Sequence, residues 1–198
     1  MNEFWNAVRS MPWDAIATQS GDCSGVPDAL ASLSAEDPDV RRSGYWRLDN
    51  HVVVQGGLYS GAFYLVPFLV QLLRSKTHLG QSEILDLLCE IASGTAEFES
   101  TVSFAVCERP FVTYIPDKAG LRFPLVVACQ FAIATALSDL IRIASHPDPV
   151  IRKKIFDLMR CFPTYAFPMA QKLKATLQAT TDTSTRSEIY ALLRELGT

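Results

Sequence analysis

The chain has 198 residues, 48% of them hydrophobic and 20% charged, with a formal net charge of −3. This is enough apolar matter for one domain, spanning 1–198, with a sizeable core, and it excludes a disordered or collagen-like chain. A weakly acidic balance also lacks the positive field that non-specific nucleic-acid binding needs, so nucleic acid is not the expected partner.

The five cysteines, Cys23, Cys89, Cys107, Cys129 and Cys161, are widely spaced, odd in number and never arranged C-x-x-C. Neither a disulfide framework nor a zinc knuckle is expected, and the usage fits a reducing compartment. The start, Met1-Asn2-Glu3-Phe4-Trp5, has no basic region leading into an apolar run, so it does not read as a secretory signal and a cytoplasmic location is expected. Phe4, Trp5, Val8 and Met11 follow helical spacing and are expected to seal one end of the fold.

In chain order the periodicity predicts a short element over 12–19, then helices over 26–34 and 38–51, 59–74 and 80–93, 121–145 and 149–161, and 165–178 and 183–196. The clearest is the stretch with Ile84, Leu85, Leu87, Leu88 and Ile91 on one stripe and Glu83, Asp86 and Glu90 between them. Gly197 is placed to stop the last helix. Pro67 and Pro168 fall inside or near the start of their helices, where each removes an amide donor. The only β-rich runs, Val52-Val53-Val54 and Phe111-Val112-Thr113-Tyr114-Ile115, lack the regular turn signals of a sheet, so none is expected. The run 123–137 is almost wholly apolar but is closed by Arg122 and Asp139. It is shorter than the roughly 20 residues a bilayer span requires, so it reads as a buried core helix and no membrane partner is expected.

A helix start recurs. Asp37-Pro38-Asp39-Val40-Arg41 and Asp148-Pro149-Val150-Ile151-Arg152 share Asp-Pro-x-(Val/Ile)-Arg, and Asp182-Thr183-Ser184-Thr185-Arg186 echoes its ends. Asp accepts hydrogen bonds from the free first-turn amides, and Pro at the first helical position loses nothing by lacking an N–H. The branched residue is expected to begin the buried stripe, and the Arg to pair with an Asp of the adjoining unit. The three starts are separated by about three periods and one period of the roughly 34–47 residues typical of helical-hairpin repeats.

With this motif the chain resembles the HEAT-repeat family. Val26-Pro27-Asp28-Ala29-Leu30 and Val66-Pro67-Phe68-Leu69-Val70-Gln71-Leu72-Leu73 look like the first helices of two such hairpins. Gln55-Gly56-Gly57-Leu58-Tyr59-Ser60 is similar to a group of bacterial HEAT-like proteins in which a His commonly precedes the Gln-Gly; Val54 stands there in this chain, and His51 lies three residues earlier. The resemblance implies an all-α fold, a short right-handed solenoid of stacked antiparallel hairpins, with 95–120 as an irregular insertion that carries Phe98, Phe104, Phe111 and Tyr114. It also implies that the second helices of the hairpins form a surface that binds another protein, and that the chain works as a monomer.

No phosphate-binding Gly-rich loop, G-x-S-x-G or H-E-x-x-H motif is present, and His51, His78 and His146 are far apart, so no metal, cofactor or catalytic residue is expected. Cys89, Cys129 and Cys161 fall on apolar helical stripes, where inert thiols are expected. The partner-binding residues are expected to be Tyr45, Trp46, Arg47, Asp49, Gln55, Tyr59, Arg152, Lys153, Lys154 and Asp157, the aromatic and charged side chains that the core does not need. The leading expectation is a non-enzymatic binding module, sharpened to a bacterial immunity-type protein that neutralises a toxin with a basic face. The alternatives are a housekeeping adaptor and a HEAT-like DNA glycosylase. The latter would use Tyr45, Trp46 and Asp49 as a base pocket and the basic concentration Arg152, Lys153, Lys154, Arg160, Lys172 and Lys174 against phosphates.

Overall fold

The computed structural model describes residues 2–18, 21–75, 79–96 and 100–197. Met1, Gln19, His78 and Phe98 lie outside the described residues. Helices dominate: α1 (Asn2–Ser10), α2 (Val26–Ser32), α3 (Pro38–Val52), α4 (Ser60–Leu73), α5 (Gln81–Ser93), α6 (Leu125–Leu140), α7 (Pro149–Arg160), α8 (Ala166–Ala179) and α9 (Thr183–Glu195). The leading element over 12–19 is only a single 3₁₀ turn, Trp13–Ala15.

Helices α3, α5 and α7 pack side by side, as do α4, α6 and α8, while α2 pairs with α3 and α9 with α8. The middle of the molecule is α4, in which Gly61 to Val70, Leu72 and Leu73 are all buried. Pro67 lies inside it, whereas Pro168 falls in the first turn of α8, where its missing amide would have no helical partner anyway. Gly44 sets the closeness of α2 and α3: a Cβ there would stand 2.8 Å from Ser32 Cβ and 2.9 Å from the Ala29 carbonyl oxygen.

All three Asp caps form. Asp37 accepts from the Asp39 amide, Asp148 from the Val150 amide and Asp182 from the Thr185 amide. The motif arginines share a task. Each folds back onto carbonyls of the turn preceding its helix: Arg41 on Ala35 and Glu36, Arg152 on His146 and Pro147, Arg186 on Leu177 and Thr180. Arg41 then reaches Glu83 of α5 at 3.5 Å, and Arg152 grips Glu188 of α9 through two bonds of 2.8 Å, so the cross-unit acid is Glu rather than the expected Asp. The branched residue does not open the stripe. Val40 is 41% exposed and Ile151 half-buried, because the buried lines start later, at Gly44 in α3 and at Arg152 in α7; Ile189 is fully buried.

The expectation of no sheet is overturned. Strands β1 (Val53–Val54) and β2 (Gly57–Leu58) make a hairpin, and β3 (Thr101–Cys107), β4 (Thr113–Pro116) and β5 (Arg122–Pro124) make an antiparallel sheet in the order β4-β3-β5. The described part of the insertion from Thr101 onward is therefore a sheet, and it extends past 120 to Pro124. Val102, Phe104 and Val106 alternate with polar or small residues, a period-2 signal that Pro110 and Pro116 obscured. Its aromatics cover α4: Tyr114 stacks on Phe63 at 4.6 Å, Phe104 lies 4.7 Å from Phe63, and Phe111 meets Phe68 at 5.8 Å. Helix α1 joins this layer by Phe4, 6.1 Å from Phe68 and 5.8 Å from Phe111, so it covers a flank of α4.

The apolar run after β5 is also longer than expected. Leu125–Ser145, α6 plus a 3₁₀ turn, is long and apolar enough by length and composition to cross a membrane, with 56% of its window buried inside the fold. The interior of α6 is held against α4, α5 and α8.

Candidate functional site

The side formed by α3, α5 and α7 carries a cleft of about 440 Å³, lined by Asp49, Val53, Gln55, Gly56, Cys89, Glu90, Ser93 and Gly94. Three local features build it. Tyr45 and Asp49 stand one turn apart on α3 and both face Glu90 of α5: the Tyr45 hydroxyl donates to Glu90 Oε1 at 2.6 Å, the Asp49 carboxyl lies near enough to feel the Glu90 charge, and Glu90 Oε2 is buried with no hydrogen-bond partner. The Gln55-Gly56 turn of the β1–β2 hairpin forms one rim, with both residues left-handed, Gln55 at φ 52° and Gly56 at φ 82°. A two-residue turn of this hand matches the strand twist, and a non-glycine residue there is strained. The hairpin is pinned to the end of α5, the Thr95 amide donating to Gly56 O and the Leu58 amide to Thr95 O, both at 2.8 Å.

The cleft is electrically unbalanced, because its lining holds two carboxyls and no cationic side chain. Burial, then the neighbouring Glu90 carboxyl, push Asp49 up to about 7, so the pair holds a proton near neutral pH. Burial and Glu90 likewise raise the Tyr45 phenol and keep it neutral. Burial raises the Cys89 thiol to about 12, leaving a poor nucleophile. Such a pair can exchange a proton or receive a cationic group. Among the described residues no group of three or more His, Cys, Asp or Glu is placed to hold a metal ion.

The expected site residues divide sharply. Asp49 and Gln55 line the cleft, Tyr45 bonds its Glu90, and Trp46, 53% exposed, packs edge-on to Tyr45 at 5.0 Å. Arg47 bonds Ser32 Oγ at 2.5 Å and so faces α2. Tyr59 precedes α4, its amide held by Val52 O at 3.0 Å, and does not line the cleft. Arg152 is buried against Glu188 and is a structural residue. Lys154 binds Asp86 and Ser82 Oγ of α5, Asp157 pairs with Arg160 at 2.7 Å, and Lys153 is exposed.

The basic concentration read from the sequence is likewise dispersed: Arg152 faces α9, Lys154 faces α5, Arg160 also reaches Glu195 at 2.6 Å, and Lys172 bonds Ser138 of α6. His51 sits against Gly25, outside the cleft lining. His146 accepts the Asp148 amide at 3.1 Å in the turn before α7.

Glu90 and Cys89 were missed as site residues. In the sequence they belong to the regular pattern of α5, and nothing local marks them as neighbours of Tyr45, 45 residues away. Searched against known proteins, the chain matches no protein-family model and no curated protein.

Proposed function

We propose that the chain is a non-enzymatic protein-binding module of HEAT-repeat type, a short right-handed solenoid of helical hairpins that grips its partner with the α3–α5–α7 side. The observation that carries this reading is the uncompensated Asp49–Glu90 pair beside the half-exposed Trp46. An exposed indole next to a desolvated charge that lacks a countercharge is what a binding hot spot looks like before its partner arrives. The partner that fits inserts a lysine or arginine into the cleft while an apolar surface covers Trp46. A toxin with a basic face meets that description, which supports the immunity-type form of the reading over a housekeeping adaptor. The same acidity counts against base excision from DNA, since phosphates approaching Asp49, Glu90 and Asp86 are repelled.

The test is affinity capture from the native cell with wild-type protein and with Trp46→Ala and Glu90→Gln variants, followed by titration of the identified partner. A basic-faced partner whose binding weakens at least about tenfold in each variant supports the proposal. A partner held equally by both variants sinks it. Toxin neutralisation further requires that deletion of the gene lowers survival beside sibling cells, and that Trp46→Ala fails to restore it.

A further inference from the structure

A second cleft, of about 470 Å³, lies where the 3₁₀ turn, the start of α4 and the three-stranded sheet meet, and it shares no lining residue with the first. Its lining includes Ile16 and Val102, each 3% exposed, and Tyr64, 5% exposed. Its polar residues include Lys118 and Arg122, both exposed, and Asp117. Most arginines and lysines of the described chain are engaged in ion pairs or hydrogen bonds; Lys118 and Arg122 have neither, although they line the same opening.

The frame that presents them is fixed. The Asp117 amide donates to Ser103 O at 2.9 Å, and the Ser103 hydroxyl returns a bond to Asp117 O. Asp117 Oδ1 is occupied by the Ala119 amide at 2.9 Å, which holds the turn that carries Lys118. Arg122 of β5 pairs in register with Ser103 of β3, and the Tyr64 hydroxyl ties α4 to β3 through Ser103 O at 3.1 Å. Ser60, the first residue of α4, also lines the cleft, and no side chain caps that helix end.

Two cations against one carboxylate leave a net charge of about +1 at an opening whose most buried lining residues, Ile16, Val102 and Tyr64, form an apolar floor beside the hydroxyls of Ser60, Thr101 and Ser103. A dianion over-compensates that charge, and a neutral ligand leaves both cations unused. A monoanion with an apolar body satisfies both parts, its planar carboxylate matching the two-pronged guanidinium of Arg122 while the body rests on Ile16, Val102 and Tyr64. We infer that this cleft is a binding site for an organic monocarboxylate.

The experiment is a titration of the full-length ¹⁵N-labelled chain with 4-phenylbutyrate, its neutral amide 4-phenylbutyramide, and phenyl phosphate, followed by amide NMR. Saturable shifts confined to 60–64, 101–103 and 116–122 are expected with the carboxylate, at roughly millimolar concentration for so small a probe. Arg122→Gln should weaken binding tenfold or more and Lys118→Gln severalfold, while Gln55→Ala leaves it unchanged. Both cations are exposed, so these variants should keep the wild-type spectrum elsewhere. The inference is overturned if the amide binds as well as the carboxylate, if Arg122→Gln binds normally, if no shift saturates, or if phenyl phosphate binds tenfold more tightly.

Discussion

Arg152→Ala tests the contact that joins α7 to α9. The wild-type residue is 4% exposed, and its guanidinium makes four bonds, two to Glu188 at 2.8 Å and two to the His146 and Pro147 carbonyls at 2.9 and 3.0 Å. A hydrogen bond to a charged group contributes about 1.5–3 kcal/mol, but four made by one group do not add. Glu188 keeps a third of its side chain in water, so it is resolvated when the arginine goes, and the loss falls at the low end of the ~3–5 kcal/mol for breaking a buried pair. We expect about 3 kcal/mol in urea unfolding, or roughly 6–12 °C in Tm for a chain of this size.

The pH dependence supplies a second check. Hydrogen bonding by Arg152 holds Glu188 below its ordinary 4.5, so the contribution is complete above that value and disappears as pH falls through the lower folded-state value. The gap between wild type and variant should therefore narrow on acidification below about pH 4. A loss under about 1 kcal/mol, or a gap that ignores pH, would refute the assignment of Arg152 as the joint between α7 and α9.

Two further outcomes follow from particular contacts. Gly44→Ala places a methyl 2.9 Å from a backbone oxygen of α2, which cannot swing aside, so a loss of about 1–3 kcal/mol by chemical denaturation is expected, with no loss meaning that α2 and α3 do not pack this closely. Asp49→Asn should stabilise: the folded state raises this carboxyl to about 7, so the wild type loses stability as pH climbs from the ordinary 3.8 toward 7, whereas the amide does not. Because the group is only part-buried and solvent screens it, the gain at pH 8 should be only about 1 kcal/mol and should vanish near pH 4; equal pH profiles would remove the carboxyl pair from the account.

Much of the helical framework was legible in the residues because its signals are local. The Asp caps, the Pro at first helical positions, the 3.6-residue stripes of α5 and α9, and Gly197 in its left-handed stop at φ 72° depend only on neighbours within a turn or two. The sheet was hidden because β3 shows its alternation only over seven residues and its partners β4 and β5 are shorter still. Within the site, Tyr45, Trp46, Asp49 and Gln55 could be named from residue type. Arg47 and Arg152 looked equally available until the folded chain spent one on α2 and the other on α9.

By itself, then, the order of amino acids determined where the three Asp-capped helices begin and where α5 and α9 carry their apolar stripes, since these follow from backbone capping and periodicity. Tertiary structure decided which polar side chains remain free. It brought Glu90 against Asp49 and Tyr45, and it left Lys118 and Arg122 together with only the carboxylate of Asp117 in the same opening. Charge balance is a property of distances across helices and strands, and a linear sequence does not contain those distances.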